Sequence, residues 1–319
     1  MAVALPTIEY VCMNGVNGST YLQTIDNEMR VNKSLNNAGI DPKYVVSLNI
    51  TGLDLFDDTY PKITGFNCSY LSNVKSINLS NSFYLTDTDW LFSDDVNLIN
   101  ISNFYTINVT NMLGMFDSCY NLTTIPNFDT SNVTDMSLMF YHCNSLTTIP
   151  NFDTKKVTDI YSMFAYCYNL TTVPNFDTSN VTDMRSMFGS CYNLTTVPNF
   201  DTSNVTDMRG MFYHCNNLIT ILNFNTSNVI DMDGMFSECE NLSSVSLNVG
   251  SIINAQYTFE YCNNLKEVAF DTDLSATTIN RKFYFENLFL DCPNLSNSTL
   301  LNIAKMLPLA SQCQEQIYN

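Results

Sequence analysis

Apolar side chains recur along this chain in three columns with a common period. A Phe lies three residues before each Cys of the central column, and a Leu lies three residues after it. The Cys column has five successive gaps of 24 residues, then gaps of 23 and 30, and its members are Cys119, Cys143, Cys167, Cys191, Cys215, Cys239, Cys262 and Cys292. A fixed period with the same apolar positions in every copy predicts a solenoid, in which each repeat buries its apolar face against the next.

Polar residues repeat with the same period. The decapeptide NFDTSNVTDM occupies residues 127–136 and returns unchanged at 175–184 and 199–208. A single repeat of this size cannot bury its hydrophobic face alone, so stacking is required. The identical decapeptides therefore indicate that every repeat presents the same surface to its neighbour.

The spacing within one repeat predicts its secondary structure. Met136, Met139, Phe140 and Cys143 are spaced i, i+3, i+4 and i+7, which predicts one face of a short helix. Asp135 precedes them and is a suitable N-cap. The LTTIP segment that follows predicts a short strand ended by proline, NFDTSN predicts a turn, and KVTDI predicts a second brief extended segment.

The repeats divide the chain into three regions. We expect coils over 45–295, with clean repeats over 109–245. Residues 1–44 lack the pattern and are predicted to form an N-terminal cap or attachment region. Residues 296–319 are predicted to form a C-terminal capping helix, in which four residues have helical spacing: Leu300, Ile303, Ala304 and Leu307.

The pattern also extends towards the N-terminus. Phe92 and Leu98 keep their columns, but Asp95 stands where a Cys would fall. An earlier, eroded coil is expected around three further residues, Phe66, Cys68 and Leu71.

The repeated string DTSNVTDMxxMFxxCxNLTT resembles the BspA-type leucine-rich repeats of bacterial surface proteins, protozoan proteins and some phage proteins. The resemblance covers 109–245 closely and 60–295 loosely. It implies an α/β fold, a leucine-rich-repeat solenoid with a parallel β-sheet of short strands and short helices, capped at both ends. It also implies a binding or adhesive role, with no shared enzyme chemistry. The segment LTTIPNFDTS is two residues shorter than its counterpart in the family, so we expect a narrower sheet.

Composition and charge exclude several classes of partner. Of the 319 residues 45% are hydrophobic, and 31 acidic against 13 basic residues give a formal charge of −18. This charge repels phosphate backbones and anionic lipid, so no nucleic-acid partner is expected. No apolar run approaches the roughly 18 residues of a membrane span. The N-terminus also lacks the pattern of a secretory signal, so we expect neither membrane insertion nor directed export.

The Cys column has three interpretations. Coils stacked at about 4.8 Å would allow disulfides or bound metal. Each Cys has an equivalent neighbour on both sides, however, so nothing selects a pair. Buried free thiols that act as small hydrophobic side chains are the simpler prediction, and neither a metal nor a cofactor is expected. Three further cysteines lie outside the column: Cys12, Cys68 and Cys313.

Two columns of aspartates follow the repeat. The first is Asp129, Asp153, Asp177 and Asp201, and the second is Asp135, Asp159, Asp183, Asp207 and Asp231. Stacked carboxylates repel one another, so either calcium or hydrogen bonds must compensate. Both columns lie at turn or N-cap positions, which favours capping of backbone N–H groups and leaves calcium as the alternative.

No motif for catalysis is present. His142 and His214 each precede a Cys, lie three repeats apart and cannot share a metal. Adjacent residues of a helix point about 100° apart, so each histidine is expected to face solvent beside a buried Cys. The sequence has no nucleophile elbow, phosphate loop or zinc-type cysteine pair, so we do not expect an enzyme.

Exposed columns supply the candidate ligand-binding residues. The second Thr of each TT pair is expected on the solvent face of the sheet, and several tyrosines follow the Cys column. The candidates are Thr124, Thr148, Thr172, Thr196, Tyr120, Tyr168 and Tyr192, with Thr220 continuing the Thr column. Such ladders bind glycan or protein through hydroxyls and ring faces. The alternative is that Thr provides β-propensity and Tyr packs between coils.

Together these patterns favour a recognition or adhesion module. We expect a receptor-binding or surface component of a phage virion or bacterial cell, which binds protein or glycan on a cell surface and contacts other virion proteins. The missing export signal favours a virion protein that folds in the host cytoplasm. The alternative is a cytosolic scaffold for protein–protein interaction.

Overall fold

The computed structural model describes residues 6–22, 24–25, 28–51, 65–80, 82, 85–221, 224–248, 250–270 and 284–300. The chain divides into two compact units, Met1–Val157 and Thr158–Asn319. Each unit contains stacked coils that repeat the same contacts, and the leucine-rich-repeat solenoid predicted from the sequence is confirmed.

The first unit begins with short strands and one helix. Its elements are β1 Thr7–Cys12, β2 Asn17–Tyr21, β3 Thr24–Ile25, β4 Glu28–Arg30, α1 Val31–Asn37, a 3-10 helix Pro42–Tyr44, β5 Val45–Thr51, β6 Gly65–Asn67, β7 Ser76–Leu79 and β8 Asn100–Ser102. Five of the strands form a sheet in the order β2-β1-β5-β7-β8, and β3, β4 and β6 form another. In the five-stranded sheet β1 is antiparallel to both neighbours, whereas β5, β7 and β8 are parallel. The β1–β2 hairpin therefore extends the sheet that the first coils begin.

The second unit has two regular strands among its described residues. They are β9 Ser244–Leu247 and β10 Glu267–Phe270, which pair in parallel. Residues 297–300 are helical. The predicted capping helix otherwise lies outside the described residues, as do Ile303, Ala304, Leu307 and Cys313.

Residues 136–143 form two consecutive tight turns, so the short helix predicted there is wrong. Met139 N–H donates to the Met136 carbonyl at 3.2 Å, and Cys143 N–H donates to the Phe140 carbonyl at 3.0 Å. The third residue of each turn has positive φ, 57° at Leu138 and 59° at His142, as in a type II turn. Both a helix and a pair of four-residue turns bring the same apolar positions inwards, which explains why spacing alone could not separate them.

Backbone hydrogen bonds join each coil to the next along these turns. In the first unit Met112, Gly114 and Phe116 donate N–H groups to the carbonyls 23 residues ahead, at 2.9–3.0 Å. In the second unit the same bonds run from Met184, Ser186, Phe188 and Ser190. Because alternate amides pair with one neighbour, the turns form a ladder like that of a parallel sheet.

The strand predicted at LTTIP is absent from the clean repeats. Among residues 103–221 and 224–243 the only β-pairing is single bridges, and most of them link aspartates of the second column, such as Asp183 with Asp207. One bond joins the corresponding segments of two coils in the second unit, where Ile219 N–H donates to the Thr195 carbonyl at 3.2 Å. Proline at the end of the segment has no N–H to donate, which limits the ladder. The VTD segment thus provides the extended pairing that the sequence assigned chiefly to LTT.

The core of each unit is a stack of identical side chains. The Phe column forms near-parallel pairs, with centroids 5.6 Å apart for Phe116 and Phe140 in the first unit and for Phe188 and Phe212 in the second. A second Phe column packs beside the first, and Phe128 and Phe152 are stacked at 6.3 Å. The predicted inward Phe, Cys, Leu and Met positions are almost completely buried.

The coil expected around Phe66, Cys68 and Leu71 is present, and a bond from Cys68 fixes its register. Cys68 N–H donates to the Leu91 carbonyl at 2.8 Å. Phe92 N–H makes the equivalent bond to the coil that follows it. Cys68 therefore occupies the Phe column rather than the Cys column, and Leu71 occupies the position of Asp95. The prediction that Phe92 keeps its column is confirmed, since its ring stacks on Phe116 at 5.3 Å.

Candidate functional site

The Cys column consists of buried free thiols, as predicted. One hydrogen bond recurs along the column in both units. The Sγ–H of a Cys donates to the backbone carbonyl of the Phe in the preceding coil, which lies 26–33 residues earlier, at 2.8–3.1 Å. The cysteines that make this bond are Cys119, Cys143, Cys191, Cys215, Cys239, Cys262 and Cys292. Burial raises the pKa of the Cys191 and Cys239 thiols well above the ordinary value. A protonated thiol out of reach of solvent is a poor nucleophile, so this column does not supply a reactive site.

Both aspartate columns cap turns. In the second column Asp135 Oδ1 accepts from Ser137 N–H at 2.8 Å. In the first, Asp129 Oδ1 accepts from the backbone and hydroxyl of Ser131, which lowers the pKa of that carboxyl. The capping interpretation is thus confirmed, although the caps belong to turns rather than to helices. No group of three or more His, Cys, Asp or Glu within the described ranges has a metal-binding arrangement.

Arginines reduce the repulsion along the second column in the second unit. Arg185 contacts Asp183 at 2.6 Å and Asp207 at 3.6 Å. Arg209 repeats this arrangement one coil later, at 2.7 Å from Asp207 and 3.8 Å from Asp231. These pairs are partly exposed, so each contributes little stability. The two guanidinium groups place positive charge between successive carboxylates of the second column.

The two histidines lie in turns and are half-buried, so they face solvent only in part. His142 packs edge-on against Tyr120 at 6.2 Å and Tyr141 at 4.6 Å, and burial lowers its pKa. His214 Nε2 contacts Glu238 Oε2, and the Tyr213 hydroxyl donates to the other Glu238 oxygen at 3.1 Å. The contacts described for both histidines are with aromatic rings and, at His214, with a carboxylate.

The tyrosine candidates of the second unit form a row. Tyr168 and Tyr192 stack with centroids 4.8 Å apart and ring planes 1° apart, and His214 meets Tyr192 edge-on at 5.6 Å. We call Tyr168, Tyr192 and His214 the aromatic row. Tyr192 is 36% exposed, so part of its surface is available to a partner. In the first unit Tyr120 is 39% exposed and has His142 as its aromatic neighbour.

The threonine candidates are exposed in both units. Thr124 and Thr148 are exposed in the first unit, and Thr172 and Thr196 are exposed in the second. The last two lie in the same coils as Tyr168 and Tyr192, four residues further along the chain. Thr220 is half-buried and forms a bridge to Ser244, so the exposed column ends before it.

Two polar ladders were missed by the sequence reasoning. Asparagines after the Cys column hydrogen-bond from coil to coil in the second unit, at 3.2–3.3 Å along Asn169, Asn193, Asn217, Asn241 and Asn264. Their signal was the Asn of the CxNL string, which recurs in every copy of the second unit. A second ladder crosses the five-stranded sheet of the first unit and joins Glu9, Asn49, Asn78 and Asn103. Its members are 40, 29 and 25 residues apart, so no fixed period pointed to them.

Comparison with known proteins gives leucine-rich-repeat relatives. A leucine-rich-repeat protein from T. pallidum is 21% identical, with a TM-score of 0.44, over 58% of this chain and 80% of that one. Another, from Bacteroides ovatus, is 16% identical with a TM-score of 0.37, over 79% of this chain and 69% of that one. A leucine-rich cell surface protein from Faecalibacterium prausnitzii is 14% identical with a TM-score of 0.24, over 81% and 94%. No curated protein gave a significant match.

The coils of both units repeat the contacts of a leucine-rich-repeat solenoid, the fold that the BspA-type resemblance implies. Across the described ranges, no helix has the length and apolarity needed to cross a membrane. A family profile with the description "Mycoplasma protein of unknown function, DUF285" matches residues 78–196 and 190–299. These two segments span most of the coils, and the chain therefore belongs to the DUF285 family.

Proposed function

We propose that this protein is a non-enzymatic recognition or adhesion module that binds protein or glycan at a cell surface. The observation that carries this proposal is the aromatic row, with exposed Thr172 and Thr196 in the same coils. Stacked tyrosines hold their rings rigid before a partner arrives, so little side-chain freedom is lost on binding. Their exposed edges offer hydroxyls that both donate and accept hydrogen bonds.

The chemistry of this surface supports binding rather than catalysis. The described Cys-column thiols are buried or half-buried and donate to backbone carbonyls. His214 is engaged with Glu238, so it is not poised beside a nucleophile. Hydroxyl groups and ring edges remain, and these suit recognition of an uncharged partner.

For location, we propose a receptor-binding or surface component of a virion or bacterial cell, with other virion proteins as further contacts. Buried thiols are compatible with this setting, because an oxidant outside the cell cannot reach them. A second candidate is a cytosolic scaffold for protein–protein interaction. The free cysteines of the described residues favour it, since reduced thiols are the rule in a cytoplasm. Protease treatment of intact cells or purified virions separates the two, because only a surface protein is degraded.

Binding is tested with variants confined to the second unit. Thr172→Lys combined with Thr196→Lys, and separately Tyr192→Ala, should weaken attachment of the purified protein to host cells at least tenfold, which is about 1.4 kcal/mol. The matched control is Thr182→Lys combined with Thr206→Lys, because these threonines are also exposed but belong to the VTD segment. A Thr172→Ala and Thr196→Ala pair separates lost contacts from added positive charge. Unchanged attachment in folded variants, or an equal loss in the control, would exclude this surface.

A further inference from the structure

A row of polar side chains crosses the solvent face of the five-stranded sheet. The strand register places Glu9 opposite Asn49 and Asn49 opposite Asn78. Asn49 Nδ2 donates to Glu9 Oε2 at 2.7 Å, Asn78 Nδ2 donates to Asn49 Oδ1 at 2.8 Å, and Asn103 Nδ2 donates to Asn78 Oδ1 at 2.8 Å. We call Glu9, Asn49, Asn78 and Asn103 the amide row.

The amide row keeps unused hydrogen-bonding groups, unlike Asn193 of the asparagine ladder in the second unit. In that ladder Asn193 Nδ2 donates to both the Tyr168 carbonyl at 3.0 Å and Asn169 Oδ1 at 3.3 Å. Both of its N–H groups are therefore engaged within the protein. In the amide row Asn49 and Asn78 each use one N–H, and among the described residues each keeps a second N–H and one carbonyl lone pair. The first arrangement holds coils together, whereas the second also leaves capacity for a ligand.

Further polar groups lie beside the amide row on the same face. Ser76 Oγ donates to Ser47 Oγ at 3.1 Å, and Asn100 is the strand partner of Ser76. Tyr21 is the strand partner of Thr7 at the edge of the sheet and is 61% exposed. Neighbouring strands are about 4.8 Å apart, so the face repeats amide and hydroxyl groups at that spacing.

We infer that the amide row is a binding site for a neutral carbohydrate chain. A sugar hydroxyl donates and accepts at once, which matches the N–H and lone pair that each asparagine of the row keeps. Glu9 adds a carboxylate that accepts from hydroxyls, and the Tyr21 ring offers an apolar surface to the C–H face of a sugar.

Two other classes of partner fit this face less well. Anionic polymers are disfavoured by Glu9, and the solvent-facing positions of β1, β5, β7 and β8 carry no Lys or Arg. Protein partners are usually anchored by Trp, Tyr or Arg in desolvated pockets. Here the centre of the face is Ser and Asn, and Val11 and Tyr21 lie at its margin.

The proposal is independent of the aromatic row, which lies in the other unit. The full chain is titrated calorimetrically with three neutral oligosaccharides, cellohexaose, maltohexaose and chitohexaose. Heparin represents an anionic polymer and a neutral Ser/Gly-rich peptide represents a protein partner. At least one neutral oligosaccharide should bind, and Asn49→Ala or Asn78→Ala should weaken that binding at least tenfold. The control Asn217→Ala changes an asparagine of the ladder in the second unit and should leave the affinity within twofold. Hydrogen exchange of the wild-type chain with the sugar should show added protection over β5 and β7, which reports on the site without any variant.

Several outcomes would overturn the inference. They are no binding of any neutral oligosaccharide, tighter binding of heparin or the peptide, an equal loss in Asn217→Ala, or protection confined to the second unit. Loss of cell attachment in the aromatic-row variants with unchanged sugar binding would leave this inference standing. Weaker cell attachment in the aromatic-row variants, with no binding of any neutral oligosaccharide by the full chain, would refute this inference and leave the proposed function standing.

Discussion

At the scale of single residues, the backbone of every described coil from Trp90 onwards holds two turn positions with positive φ. Glycine fills the first position in some coils, as at Gly114 and Gly210, but Leu138 fills it in another with φ of 57°. A residue with a Cβ is less stable in this conformation by roughly 1–2 kcal/mol. The repeats therefore differ in strain although their contacts are alike.

Leu138→Gly should stabilise the protein by about 1 kcal/mol, because relief of the positive φ outweighs the loss of a half-buried side chain. Urea unfolding measures the change. The matched control is Gly210→Ala, where φ is 57° and the new Cβ would lie 3.3 Å from Ser186 Oγ, so it should destabilise by a similar amount. Destabilisation by both substitutions would mean that Leu138 packing dominates.

Asp95 is the one described member of its column that brings a carboxyl into the core. It is fully buried, its Oδ1 accepts from Leu71 N–H at 2.7 Å, and Oδ2 has no partner within the described ranges. Burial raises its pKa well above the ordinary value of 3.8. The folded state therefore holds a proton that the unfolded chain releases, and stability falls as pH rises from about 3.8 through the folded pKa.

Asp95→Asn replaces the acid by a neutral group that keeps the acceptor for Leu71. It should stabilise the protein at pH 8 by about 1–3 kcal/mol, the usual penalty of an uncompensated buried polar group. At pH 3.5, where Asp95 is protonated in the folded state and mostly protonated in the unfolded chain, most of the gain should disappear. Denaturant unfolding at the two pH values gives the comparison, and a gain that does not depend on pH would show that ionisation of Asp95 is not involved.

At the scale of elements, the sequence predicted inward positions better than backbone conformation. Met136, Met139, Phe140 and Cys143 are buried as the spacing predicted, yet they lie on turns rather than on a helix. The missing information was the sign of φ at Leu138 and His142, since Leu rarely adopts a left-handed backbone and a lone His does not by itself indicate one. The capping role of the aspartates was predictable because it depends only on residues two positions away. The amide row was not, because its partners lie far apart in sequence.

The Phe column should carry much of the stability of the second unit. Phe188 stacks on Phe164 at 5.7 Å and on Phe212 at 5.6 Å, so Phe188→Ala opens a cavity between two rings and should cost about 3–5 kcal/mol. Phe289 is 8% exposed and stacks on Phe259 at 5.2 Å, so Phe289→Ala should cost less. Thermal melts of both variants test the order, and a Phe188→Ala melting temperature within a degree of wild type would contradict the packing described above.

At the scale of the whole molecule, the thiols report on folding. Described members of the Cys column are free, and all but Cys292 are buried. In the reduced form each described thiol can donate to its Phe carbonyl, which a disulfide sulfur, having no S–H, cannot do. The state of the column therefore follows the integrity of the coils.

In denaturant without reductant, all eight cysteines of the column should react with a maleimide mass tag. In native buffer the seven buried ones should react far more slowly, because burial and a raised pKa keep them protonated. Intact-mass spectrometry counts the tags. Blocked sites that open only after reductant is added would contradict the free-thiol assignment.

Identity between repeats also has a consequence for inheritance. Residues 175–184 and 199–208 are the same decapeptide, so a crossover in the gene between the stretches that encode them adds or removes one whole coil without a novel junction. The neighbouring coils then meet through the same amides, rings and thiols as before. We expect related strains to differ in their number of coils more readily than in the sequence of any one of them.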